Sequence, residues 1–365
     1  MRAVKKIGKV IGIILLVLIL LLAVTLTVTS IVYHVKLNKI EDQLRSDGYY
    51  NPVSVGDHSL NLYSCGSENA SHTIVALAGW GDGEMSIGWR MMTADVEKDN
   101  RVIFLDRAGY GLSDDTKQDM TAETVVEEYR TALKKAGIEA PYLLMGHSMG
   151  GIYATYWESK YPDEIDAVIL VDGEECHAIP DASHGSPDLT TRLIPAAEKL
   201  GIAPLLVRIM YGKYTDKLPE KEREQAIYMM CKTLGSSASL NEMTLDDRNV
   251  DLTWNEIVTN DIPKLYISAS LGYHTKEDFI NDGITAESLV GTWADPSLKN
   301  AGDDAIYADV LDTMERCRTD LYYPYFEKLG NCKTVELPGD HVIYFDKPDE
   351  CCRIVAEFVD GLDHG

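Results

Sequence analysis

Leu143-Leu144-Met145-Gly146-His147-Ser148-Met149-Gly150-Gly151 is an apolar strand that runs into Gly-x-Ser-x-Gly and on into a helical pattern. A serine in that setting sits on a strand-to-helix turn so tight that the residues two places either side must be small. The pentapeptide alone is common enough to arise by chance; its flanks give it weight. Tyr142 to Met145 read as a short buried strand, and Ile152 to Tyr161 read as a helix that stops before Pro162. Ser268-Ala269-Ser270-Leu271-Gly272 also sets serine among small residues, but it lacks the leading glycine and no helical pattern follows.

Around this turn, strands and helices alternate. Val53 to Val55 and Ser59 to Tyr63 flank the hairpin signal Gly56-Asp57-His58. Thr73 to Leu77 is a strand that enters Ala78-Gly79-Trp80-Gly81-Asp82-Gly83, with a helical pattern from Met85 to Val96 behind it. Arg101 to Leu105 is the next strand, followed by Asp106 and a turn-rich loop; Thr121 caps a helix that Gly137 stops. After the serine turn comes Ala167 to Val171, ending in Asp172. This alternation predicts an α/β fold with a mostly parallel sheet covered on both faces. It breaks at Gly173. Residues 174–261 show helical patterns and no strand, and are expected to form a helical lid. Strand character returns at Lys264 to Ser268, an irregular stretch covers Leu271 to Gly302, and helical pattern covers Asp304 to Leu329. Lys333 to Leu337 is the last strand, and the last helix runs from Pro348 to about Leu362.

The chain carries a net charge of −24, which excludes nucleic-acid binding through basic surface. Val10 to Tyr33 is a 24-residue stretch without charge behind Arg2, Lys5, Lys6 and Lys9. At ~1.5 Å per residue it spans a ~30 Å hydrocarbon core, with the basic end held in the cytoplasm. A cleaved signal peptide is the alternative, but its apolar region normally runs only about 7–15 residues, and no clear cleavage site follows here. The expected organisation is an anchor over 1–34, a polar helical stalk over 35–50, and a core over 51–173 and 262–365. The catalytic domain would then face outward from the cell membrane. The seven cysteines show no metal-binding spacing. Cys351 and Cys352 read as buried thiols on the last helix, and a Cys317–Cys332 disulfide is left open.

A serine hydroxyl is a weak nucleophile unless a base takes its proton, and that base needs a carboxylate to hold its tautomer. Functional groups of a parallel sheet gather at the carboxyl ends of its strands. His341, in Leu337-Pro338-Gly339-Asp340-His341 after the last strand, stands in that place. His177 and His184 fall in the lid, His274 in the irregular stretch, and His364 at the C-terminus.

Together, Gly146-His147-Ser148-Met149-Gly150-Gly151, Asp106-Arg107-Ala108-Gly109-Tyr110-Gly111-Leu112-Ser113 and Gly339-Asp340-His341 resemble the α/β-hydrolase superfamily. More narrowly, they resemble its esterase/lipase-like branch with a lid after strand six, over roughly Asn51 to Leu362. Members with an aspartate nucleophile, the dehalogenases and epoxide hydrolases, are set aside because position 148 is serine. In many relatives the acid follows strand seven. Here Ile262-Pro263-Lys264-Leu265 leads into a stretch whose first carboxylates are the distant Glu277 and Asp278. Other relatives carry the acid at the end of strand six, where this chain has Asp172; it is the preferred acid, with Asp278 or Glu277 as the alternative. The resemblance implies an oxyanion hole from the amides of Met149 and Trp80, with Ala78 replacing the usual histidine of the Gly79-Trp80-Gly81 loop.

Several neighbours read as structural. Asp106 and Arg107 fix their loop, Asp340 orients the His341 turn, and His147 points away from the nucleophile's site. Met210, Met229, Met230 and Met243, with Leu205, Leu206 and Ile209, are candidates for an acyl pocket or for plain packing. The resulting expectation is a membrane-anchored serine hydrolase that cleaves a carboxylic ester or related acyl bond, acting on a small-molecule acyl substrate without cofactor or metal. The rivals are an aminopeptidase of the proline-iminopeptidase kind and a catalytically silent binding protein on the same fold.

Overall fold

The computed structural model describes residues 2–67, 70–180 and 189–362; His184 and His364 lie outside the described residues. Eight strands make one sheet: β1 (Pro52–Ser54), β2 (Ser59–Gly66), β3 (Thr73–Leu77), β4 (Arg101–Asp106), β5 (Tyr142–Ser148), β6 (Ile165–Gly173), β7 (Asn260–Ser268) and β8 (Gly330–Glu336). Their order is β1-β2-β4-β3-β5-β6-β7-β8. β2 runs antiparallel to β1 and β4, and every other neighbouring pair is parallel. The central strands are apolar in nearly every position because both faces are covered.

The period-two alternation of side chains splits the core into two layers. Ile74, Phe104, Met145, Ile169 and Ile267 face one layer, where Trp89, Phe345 and Val355 pack. Val75, Ile103, Leu144, Leu170 and Tyr266 face the other, against Val125, Tyr129, Ile152 and Trp157 of the helices Ala122–Lys135 and Met149–Lys160. Thr121 caps the first of these helices by accepting from the Thr124 N–H.

Between β6 and β7 lie the helices Leu189–Lys199, Ala203–Thr215, Glu220–Leu234 and Ser237–Glu256, with no strand among the described residues. The irregular stretch after β7 folds into short helices, Lys276–Asn281 and Ala286–Leu289, and packs with Asp303–Cys317 around its own apolar cluster of Leu271, Phe279, Ile306, Val310 and Met314.

One sequence expectation changes. The anchor and stalk are one continuous helix, Arg2–Ser46, long and apolar enough over its first part to cross a membrane. Its last turns are not a free stalk: Tyr33, Leu37, Ile40 and Leu44 are buried, because their three- and four-residue spacing makes an apolar stripe that packs against the insertion. All seven cysteines are unpaired, so no disulfide joins Cys317 to Cys332; Cys351 and Cys352 are buried in the last helix.

Candidate active site

Strand register sets the site. Leu77 pairs with Gly146 and Ser148 with Gly173, so β3, β5 and β6 end at one level. Ser148 takes φ 50°, ψ −127°, and Asp172 takes φ 43°; they are the two non-glycine residues with positive φ among the described residues. Such strained positions persist only when the surroundings over-determine them, and they cluster at functional sites. The glycines of the turn are needed for close approach. A Cβ on Gly150 would stand 2.1 Å from the Leu77 carbonyl oxygen, and one on Gly146 would stand 2.5 Å from that of Gly150.

Val171 is level with Ile267 across β6 and β7, so Asp172 meets the loop that leaves β7. Its Oδ1 accepts the N–H groups of Ala269 (2.7 Å) and Ser270 (3.2 Å), and its Oδ2 accepts the Ser270 hydroxyl (2.6 Å). Oδ2 also lies 2.7 Å from Nδ1 of His341. Burial alone would raise the Asp172 carboxyl, but the His341 hydrogen bond and charge and the β7-loop donors outweigh it and leave it lowered. For His341, desolvation opposes the charged form, yet the hydrogen bond and charge of Asp172 prevail and raise its pKa. With Nδ1 committed to Asp172, Nε2 is the nitrogen left for proton transfer.

Ser148, Asp172 and His341 line one cavity of about 800 Å³. Its apolar wall comes from the stretch after β7: Leu271, Phe279, Leu289, Trp293 and Met314. The residues of the first insertion that the sequence leaves open between an acyl pocket and plain packing do not line it. Met229 and Met230 are buried in the core, Met243 packs half-buried, and Leu205, Leu206, Ile209 and Met210 face outward. The short helices of the second stretch, hidden by its irregular sequence, stand over the serine instead. Asp278 closes a capping box with Thr275 on the helix Lys276–Asn281, and Glu277 is exposed; neither lines the cavity.

The Gly79–Trp80 loop presses on the serine, since a Cβ on Gly79 would come within 3.1 Å of the Ser148 Cβ. Asp82 holds the Gly79 N–H at 3.0 Å, and the Tyr110 hydroxyl holds that of Gly81 at 3.4 Å. The Trp80 indole is fixed at 3.0 Å on the Ser239 carbonyl. The N–H groups of Trp80 and Met149 have no acceptor among the described residues, the condition two oxyanion donors need before substrate arrives.

Three supporting groups escaped the sequence reading. Asp82 lies 2.8 Å from Nδ1 of buried His147, whose Nε2 donates to the His341 carbonyl at 2.9 Å. His147 thus turns away from the cavity but ties the Gly79 loop to the His341 turn. Glu242, fully buried, pairs with fully buried Arg107 at 2.5 Å and accepts from Tyr110 (2.5 Å) and Tyr153 (2.9 Å). Arg107 in turn holds the carbonyls of Ala78 (2.6 Å) and Gly79 (3.1 Å), so it braces the candidate oxyanion loop as well as its own, where its guanidinium lies 3.7 Å from the Tyr110 ring centroid. Ser270 is the third, as the hydroxyl on Asp172. Asp106 does fix its loop, accepting from Leu112 and Asn61. Asp340 reaches out to Lys213 at 2.7 Å, while Asp346 holds the turn through the Asp340 N–H.

A family model described as the alpha/beta hydrolase fold matches residues 73–206. The uncharacterized protein YbdG of Bacillus subtilis is 36% identical over 360 residues, covering 98% of this chain and 99% of its own. The 1-acylglycerol-3-phosphate O-acyltransferase ABHD5 of Rattus norvegicus is 30% identical over 128 residues, 33% of this chain and 34% of its own. Among solved structures, the epoxide hydrolase CorEH superposes with a TM-score of 0.60 at 15% identity, covering 86% of this chain and 99% of its own, a likeness of fold alone. The sheet order, the serine turn after β5 and these matches agree: the chain belongs to the α/β-hydrolase superfamily.

Proposed function

We propose that the protein is a membrane-anchored serine hydrolase that cleaves a carboxylic ester or related acyl bond through an acyl-enzyme. The observation that carries this reading is the 2.7 Å contact between Asp172 and His341 in the lining of a cavity that Ser148 also lines. Ser148 Oγ attacks the acyl carbon while His341 Nε2 takes its proton. The carbonyl oxygen becomes an oxyanion between the amides of Met149 and Trp80, each donor worth on the order of 10²–10³ in rate. The intermediate collapses as the imidazolium returns the proton to the leaving alcohol. Water, deprotonated by the same imidazole, then releases the acid and restores Ser148. Asp172 holds the imidazole tautomer and steadies its charge.

A second reading has one observation in its favour: Glu174 and Glu175 line the cavity beside Ser148, where a substrate ammonium would find carboxylates. Burial raises both carboxyls, which weakens them as ammonium partners. Purified full-length protein assayed on p-nitrophenyl esters of graded chain length and on aminoacyl arylamides decides between them. Ester turnover with a chain-length optimum is expected; preferential turnover of arylamides bearing a free amine would move the assignment to an aminopeptidase.

The base also sets a pH dependence. His341 must be neutral to accept the serine proton, and its pKa is raised. The acid limb of kcat/KM should therefore lie above the ordinary imidazole range of about 6.5. In Asp172→Asn the limb should move down. A limb that stays in place in that variant would detach the rate from His341.

A further inference from the structure

We infer that the outer face of the helices Leu189–Lys199 and Ala203–Thr215 rests in the lipid surface of the membrane that the N-terminal helix crosses, so that the acyl substrate is drawn from lipid. This rests on the anchor and serine-hydrolase readings above. On Ala203–Thr215, Ala203, Val207 and Tyr214 are buried against the domain, while Leu205, Leu206, Ile209 and Met210 are 43% to 72% exposed on the opposite side. A helix apolar on both sides needs apolar cover on both, and here the protein supplies only one. Leu193 and Leu200 extend the same exposed surface. Apolar patches of that kind mark an interaction site rather than ordinary surface.

The N-terminal helix says what covers it. Residues 6–25 are exposed on every face, and contact with the insertion begins just beyond them. Thr29 Oγ1 donates to the Leu200 carbonyl at 2.8 Å, and Ser30 Oγ donates to the Lys199 carbonyl at 2.6 Å. Tyr33 stacks on Tyr228 with ring centroids 5.4 Å apart, and Glu41 pairs with Lys232 at 2.8 Å. Counted from Val10 at ~1.5 Å per residue, a ~30 Å hydrocarbon core ends near Thr29. The turn Lys199–Gly201 therefore sits at the membrane boundary, and the exposed leucines leave it on either side. Lys199 at the turn stands where a basic side chain reaches lipid headgroups, while Arg208 on helix Ala203–Thr215 is paired with Glu224. Helix Ala203–Thr215 then runs to Lys213, which lines the cavity with Ser148 and His341, about 15 Å from its membrane end. That path joins the lipid surface to the candidate active site.

The test uses the full chain in phosphatidylcholine/phosphatidylglycerol vesicles doped with a diazirine-bearing phospholipid, with adducts mapped by mass spectrometry. Adducts are expected within residues 10–30 and also within 193–210. Adducts confined to 10–30 would overturn the lipid-facing surface while leaving the anchor, and none at either place would overturn the anchor as well. Protein cross-links joining 193–210 of two copies, without lipid adducts there, would assign the surface to a dimer instead. In the double variant Leu205→Glu/Ile209→Glu, adducts at 193–210 should fall at least tenfold. Hydrolysis of a vesicle-embedded long-chain ester should fall likewise, with a soluble short-chain ester hydrolysed within twofold of wild type. An unchanged rate on the embedded ester would overturn delivery from lipid. Absence of all ester turnover in the wild type would remove the serine-hydrolase reading and the lipid substrate with it; the adducts are formed without turnover and still decide the surface.

Discussion

Replacing Asp172 by asparagine is expected to lower kcat by about four orders of magnitude while leaving the fold intact. The size follows from the serine-protease precedent, where the same change on the buried acid costs ~10⁴ by presenting the wrong tautomer. Here an asparagine amide still occupies the space between the donors of Ala269 and Ser270 and the His341 ring, but it no longer presents a carboxylate to Nδ1–H. Asp278→Asn and Glu277→Gln should change kcat by less than about tenfold, ~1.4 kcal/mol in barrier, because neither lines the cavity. Steady-state kinetics on the best ester from the substrate panel, with circular dichroism to check folding, would show the ranking. A reverse ranking would make Asp172 a strand-end residue only.

Glu242→Ala should be the most destabilising single change outside the site. It leaves the Arg107 guanidinium charged and fully buried with its partner gone, and strips acceptors from Tyr110 and Tyr153. Breaking a buried pair in this way costs about 3–5 kcal/mol, whereas replacing both partners by apolar side chains often costs little. The thermal midpoint should drop by on the order of 10 °C. Arg107→Met/Glu242→Leu should recover much of that stability, yet remain impaired in kcat because the Ala78 and Gly79 carbonyls lose the guanidinium. A single variant that melts within about 1 °C of wild type would show that the pair is not the brace described.

The sheet was legible in the sequence because its central strands are continuous apolar runs closed by punctuation: Gly79 after β3, Asp106 at the end of β4, the glycines around Ser148. Ser148 and His341 were legible for the same local reason, since each lies in a turn directly after a strand. Strand pairing was not local, and this is where the reading thinned. Ser268-Ala269-Ser270 looked like a failed serine turn; only the register of β6 against β7 makes it the cradle of Asp172. Glu242 sits 135 residues from Arg107 in sequence, so nothing near either residue marks the pair. Asp82 lies in a glycine-rich run, and a carboxylate in so tight a turn is the local signal of a group tied to the backbone, as it is to the Gly79 N–H. The choice between an acyl pocket and plain packing was not legible, for a periodicity reason. Leu205, Leu206, Ile209 and Met210 do share one helix face, but a helical pattern does not say which side of the domain that face meets.

The central claim is that Ser148 is the nucleophile, and an alkyl fluorophosphonate tests it most directly. Such a probe reacts with a serine only where a base and an oxyanion hole activate it. The full-length protein should be labelled once, on the peptide carrying Ser148, and Ser148→Ala should take up no label while folding as the wild type does. Labelling of that variant to the wild-type extent, or no labelling of folded wild-type protein, would contradict it.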